Sequence, residues 1–218
     1  MSMACNRPVR WLLAGVLLLA GGAHAQSVEE SGLPETLMNQ LRAGRYGEAY
    51  PELNRFAARR HALAAYYLGQ MYSCGKGVAF SCATAQRYLR QSVQPGATPG
   101  WWNDAAKNEI AWIHAACEDT GFTRNGAIAL RLARDVTRRS GDPYYADTLA
   151  AAQANAGDFG RAVATQRAAI AALEALARQD GAHADAVRVF HDRLSRYEHL
   201  RPARFGYREA VIACRHMP

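Results

Sequence analysis

The stretch DPYYADTLAAAQANAGDFGRAVATQRAAIAAL, from Asp142 to Leu173, decides how this chain is read. It predicts two helices and one tight turn. Pro143 suits a first helical turn, where its missing N–H would have no partner, and Leu149, Ala150 and Gln153 follow on one face. Gly157 and Asp158 interrupt the pattern. Phe159, Ala162, Val163, Ala169, Ile170 and Leu173 then recur at three- and four-residue steps, so a second helix turns an apolar face toward the first. Ala150 and Ala162 are small enough to let two helix backbones approach closely, and Phe159 is placed to fill the corner between them.

Leu149, Ala150, Gly157, Phe159, Ala162 and Ala169 stand where the tetratricopeptide repeat (TPR) carries its signature residues, so this stretch resembles that family. A lone hairpin of this kind cannot bury both sides of its apolar face, and such units stack. The resemblance implies an all-α fold, an α-solenoid of three to four antiparallel helix hairpins with a C-terminal capping helix.

Weaker copies flank the central stretch. Leu33, Leu37, Met38 and Leu41 share one face of a helix ending at Gly44, and Tyr46, Ala49, Leu53 and Phe56 repeat the step seen from Gly157 to Ala162. Pro51 is expected to kink or delay that second helix. From Ala62 to Val93, the residues Leu68-Gly69, Tyr72, Gly75, Gly77-Val78, Ala83 and Ala85 resemble a Sel-one-like repeat, a TPR relative with a longer glycine-containing turn. Cys82 stands where that family usually has an acidic residue opening the second helix. Pro95 to Gly100 reads as a linker. A third repeat has a helix from Trp101 to Cys117, with Ile110, Ala111, Ile113 and His114 at helical spacing, and a second from Gly126 to Arg139. Ala182 to Leu200 places Ala186, Val187, Phe190, Leu194 and Tyr197 on one face and Arg188, Asp192, Arg193 and Arg196 mostly opposite, as a capping helix would. Tyr207 to Cys214 is a candidate short helix.

The chain thus divides into 1–25, 26–94, a linker over 95–100, two TPR-like repeats over 101–178, and a cap and tail over 179–218. The first segment pairs Arg7 and Arg10 with an apolar run from Trp11 to Ala20 and the small-x-small pattern Ala23-His24-Ala25. That pattern reads as a secretory signal cleaved after Ala25, with a retained anchor as the alternative, and implies a periplasmic or secreted protein without stable membrane insertion after cleavage.

The formal net charge is +7, and an excess of five positive charges persists without Arg7 and Arg10. A basic, exported helical protein can meet acidic proteins, anionic polysaccharide or a membrane surface. No run of basic residues interleaved with aromatics points to nucleic acid. Cys74, Cys82, Cys117 and Cys214 follow the signal segment, and three connectivities are possible in an oxidising compartment. Cys74 with Cys82 is the favoured pair, since they flank one short turn between antiparallel helices. Cys117 with Cys214 would follow if the chain end returns to the rim after Cys117, the alternative being two buried free thiols.

Catalytic signatures are sparse. Ser73-Cys74-Gly75-Lys76 has the Ser-x-x-Lys spacing of serine acyl-enzymes that act on β-lactams and peptidoglycan peptides, but the partner motifs are absent and the repeat's own turn explains these residues. His183, His191 and His199 recur every eight residues, a step that drifts about 80° around a helix and does not converge on one metal ion. No cofactor motif is present, and no enzyme activity is expected. In TPR proteins the first helix of each repeat supplies ligand contacts from fixed positions. Those positions fall here on Tyr66, Gln70, Asn108, Trp112, Tyr144, Asp147 and Asn155, a set suited to an extended peptide in a concave groove. Two structural alternatives stand beside this. Asn108 and Asp147 would bond to each other across the stack, and Trp112 would pack against the linker near Pro99. The resemblance therefore implies a non-enzymatic scaffold for a protein or peptide partner. A peptidoglycan- or penicillin-interacting protein of the cysteine-rich Sel-one-like type and a structural subunit docking through its last helix are the other readings.

Overall fold

Alanine and glycine at the helix contacts, with polar caps at the helix starts, shape the helices of this chain. The structure, a computed structural model, describes residues 32–180 and 183–206. Among them run nine helices: α1 (Glu35–Arg42), α2 (Tyr46–Ala58), α3 (Ala62–Cys74), α4 (Cys82–Ser92), α5 (Trp102–Ala116), α6 (Gly126–Arg139), α7 (Pro143–Asn155), α8 (Phe159–Asp180) and α9 (Ala184–Glu198). The signal segment, the segment from Tyr207 to Cys214 and Cys214 itself lie outside the described residues.

Side-chain caps set several boundaries by accepting from backbone N–H groups that lack a helical partner. The Ser81 hydroxyl accepts from the Thr84 N–H at 3.2 Å, Asn125 from Ile128 at 3.0 Å and Asp142 from Tyr144 at 2.8 Å. Pro143 occupies the first turn of α7. Gly75 closes α3 at φ 63°, and Gly77, at φ 70°, lies where an added Cβ would come within 2.7 Å of the Gly47 nitrogen. Pro51 does not delay α2, which begins at Tyr46 and runs through it. The proline is exposed in the second turn and forgoes one hydrogen bond there.

Consecutive helices pack on one another along the chain, α5 also packs on α7, and α3 touches α5 more lightly. The described residues from Leu33 onward belong to one compact unit. Ala111, Ala115 and Ala116 of α5, Ala150, Ala151 and Ala152 of α7 and Ala162 of α8 are buried together, with Phe159 packed against them. Methyl-sized side chains bring these backbones close enough for dense contact. Gly69 does the same between α3 and α4, where a Cβ would meet the Leu89 side chain at 2.6 Å. At the far end Phe190 of α9 joins Ala169, Ile170 and Leu173 of α8 in a second cluster. No helix among the described residues is long and apolar enough to cross a membrane.

The disulfide pattern corrects the expected one. Cys82 is bonded to Cys117, not to Cys74. Cys74 is also disulfide-bonded. Cys82 opens α4 and Cys117 follows the last turn of α5, so the bond ties two neighbouring helices at one rim, and the Cys82 N–H donates to Asp119 beside it at 2.9 Å. Cys117 is therefore not paired with Cys214 as expected, and the segment that lies against this rim is the one at Phe205. Its N–H donates to the Ala116 carbonyl at 2.8 Å, and its carbonyl accepts from the Glu118 N–H at 2.9 Å.

Candidate functional site

Six of the seven candidate contact residues divide into two groups with different surroundings. On α7, Asp147 is buried and fully engaged. It accepts from the Gln166 amide of α8 at 2.8 Å and forms an ion pair with Arg193 of α9. Burial pushes its carboxyl up, and the Arg193 guanidinium and the Gln166 amide pull in the opposite sense. Arg193 also lies over the Trp112 ring of α5 at 4.2 Å from its centroid, a cation–π arrangement. Phe205 meets the same indole edge-on at 5.7 Å. Trp112 therefore packs under the C-terminal segment, not against the linker near Pro99. Arg193, expected on the solvated face of the last helix, turns inward because Asp147 demands a partner. Tyr144 hydrogen-bonds His183 at 3.0 Å and packs edge-on against Phe190.

On α3 and α5 the polar groups lack such partners. Tyr66 is buried on α3 and meets Trp101, a residue 56% exposed, edge-on at 5.6 Å. Tyr66, Gln70 and Ser73 share one face of α3, at steps of four and three residues. The Gln70 side chain reaches the Tyr66 phenol, while its own oxygen, Gln70 Oε1, is buried without a hydrogen-bond donor. Asn108 Oδ1 on α5 is likewise buried without a donor, so the anticipated bond between Asn108 and Asp147 is not formed.

Next to Asn108, Glu109 completes this region. Its carboxyl is half-buried, and desolvation pushes it up, with the Ser73 hydroxyl within hydrogen-bonding reach as the opposing influence. No basic side chain among the described residues pairs with it. The Tyr66 phenol is pushed up by burial first and then by the nearby Glu109 charge. Glu109 was not legible as a site residue, because one carboxylate on an amphipathic helix looks like any solvated charge.

The other candidates fall elsewhere. Asn155 sits at the end of α7, its amide 3.3 Å from where a Cβ on Gly126 would lie, at the opening of α6. Ser73 is fully buried with its hydroxyl donating to the Gln70 carbonyl at 3.2 Å, whereas Lys76 reaches the Tyr46 hydroxyl at 3.2 Å. The Ser-x-x-Lys spacing thus directs its two side chains to different partners. His191 meets Glu174 at 3.2 Å and His199 the Ser195 carbonyl at 2.7 Å, so the three regularly spaced histidines face separate groups. Among the described residues no three His, Cys, Asp or Glu side chains gather as a metal site.

Compared with known proteins, the chain matches no family model, no curated protein and no solved structure. Its function is therefore read from the two polar regions themselves.

Proposed function

We propose that this chain is an exported, non-enzymatic helical-repeat scaffold of the TPR and Sel-one-like kind that binds a peptide or protein partner along α3 and α5. The observation that carries the reading is the pair of buried amide oxygens, Gln70 Oε1 and Asn108 Oδ1, left without donors on adjacent first helices. A buried acceptor without a donor costs about 1–3 kcal/mol, and the N–H groups of an extended peptide are the donors that would remove that cost. The adjacency of α3, α5 and α7 supports a solenoid-like stacking of hairpins. Export is supported by the Ala23-His24-Ala25 pattern and by the Cys82–Cys117 bond, which suits an oxidising compartment. Asp147, Trp112 and Tyr144 leave the proposed contact set, since the chain's own C-terminal segment uses them.

A random peptide library panned against the purified chain tests the reading. Enriched peptides are expected to lose about tenfold in affinity with Asn108→Ala and again with Gln70→Ala, the equivalent of one hydrogen bond each. No enrichment, or binding untouched by either substitution, would overturn it.

A further inference from the structure

The positive charge of this chain gathers over apolar surface on α6. Arg131, Arg134 and Arg138 follow one another there at steps of three and four residues, so they lie on one side of the helix and span about 10 Å along its axis. With Leu149 of α7 they border a groove of about 650 Å³, within the range of about 300–1,000 Å³ typical of ligand clefts. Its floor is apolar. Leu130 and Leu149 pack against the alanine core while staying half-exposed, and Ala127 extends the floor toward the start of α6. Thr137, also in the lining, turns its hydroxyl to the Ala133 and Tyr145 carbonyls at 2.7 and 3.1 Å.

The arginines, by contrast, face solvent. Arg131 and Arg134 are exposed and make no hydrogen bond or ion pair among the described residues. Arg138 meets Asp135 at 3.6 Å with 78% of its side chain exposed, and Asp135 also serves Arg139 at 2.9 Å and Lys107 at 3.9 Å. Asp158 is taken by Arg161, whose backbone N–H and guanidinium both donate to it, and the Arg134 charge only adds to that influence. Three guanidinium groups in a row call for several anionic groups in line, since a single carboxylate answers one fork and leaves the others unmet. The floor calls for apolar surface as well. A bare polyanion would leave both leucines in water. An extended peptide answers both demands, because alternate side chains share a face about 6.6 Å apart, close to the rise of about 5–6 Å between successive arginines.

We propose that the groove between α6 and α7 docks an acidic, amphipathic peptide segment of a partner protein. Its carboxylates lie along Arg131, Arg134 and Arg138, and its apolar side chains cover Leu130 and Leu149. None of the lining residues belongs to the α3 and α5 set, and the site does not rest on it.

The test uses a short capped peptide alternating glutamate and leucine, titrated into the ¹⁵N-labelled chain at neutral pH and followed through the amide signals. Two control peptides replace glutamate by lysine or leucine by serine. Saturable shifts at α6 and α7 are expected with the glutamate–leucine peptide, none with the lysine peptide and weaker ones with the serine peptide. Affinity should fall as salt is raised. Arg131→Gln together with Arg134→Gln, both at exposed positions, is expected to weaken binding about three- to tenfold, the scale of two exposed ion pairs. Asn108→Ala should leave these shifts unchanged. No saturable binding, equal binding of the lysine or the serine peptide, or affinity untouched by the paired arginine substitutions would overturn the proposal. Shifts confined to α3 and α5 and abolished by Asn108→Ala would also overturn it, while keeping the partner reading above. Shifts at α6 and α7 together with a failed panning effect of Gln70→Ala and Asn108→Ala would do the reverse.

Discussion

Asp147 on α7 and Glu109 on α5 are both carboxylates drawn away from solvent, and the chain treats them in opposite ways. Asp147 receives a guanidinium from α9 and an amide from α8, and the indole beside it is covered by the same arginine and by Phe205. Glu109 receives no cation, and the neighbouring amide oxygens of Gln70 and Asn108 receive no donor. The first arrangement is closed and holds α9 to α7 and α8. The second is buried without a partner of its own, and an unmet acceptor set costs free energy.

The contrast is broken most directly at its closed end. Arg193→Met strands the Asp147 carboxylate and is expected to cost about 3–5 kcal/mol in urea unfolding, most of which should return when Asp147→Leu is added. A cost below about 1 kcal/mol would show that the pair is not what secures α9. The other end is held by a covalent tie instead. Replacing Cys82 and Cys117 together by serine is expected to cost about 2–4 kcal/mol, with hydrogen-exchange protection lost in α4 and α5 before α7 and α8. Gly69→Ala, which drives a methyl into Leu89 between α3 and α4, should cost about 1–3 kcal/mol by the same unfolding measurement.

The smallest effect sharpens the comparison by its sign. Glu109 has a folded pKa raised above its ordinary value of 4.5, so the folded state holds the proton more tightly than the unfolded one. The stability it contributes is complete below the unfolded value and is lost as pH rises through the folded one. Glu109→Gln removes that loss. The difference in melting temperature between variant and wild type should be near zero in acid and grow in favour of the variant as pH rises above 4.5. A difference that instead favours the wild type at neutral pH would mean that a cation already meets Glu109.

Helix positions and their apolar faces were legible because each is local. Leu37, Met38 and Leu41 of α1, and the alanines around Ala150 and Ala162, are spaced at helical steps, and both sets are buried. The disulfide was not legible. Cys74 and Cys82 flank one turn in sequence, yet stacking brings the start of α4 to the end of α5, and proximity along the chain loses to proximity across the rim. Of the candidate site, Gln70 and Asn108 were found through the family resemblance. Glu109 and Arg193 were missed because helical periodicity places a charge on the polar side without saying what faces it.

The sequence by itself determined that the described residues are helical, where successive helices break and which small residues let them meet, since backbone preference, capping and side-chain spacing act within a few residues. Only the tertiary structure decided which cysteine meets Cys82, which polar residues are consumed internally and which are left waiting. Those outcomes depend on groups more than thirty residues apart, as Cys82 and Cys117 are, and on the balance between the desolvation of a charge and the partner that packing happens to deliver.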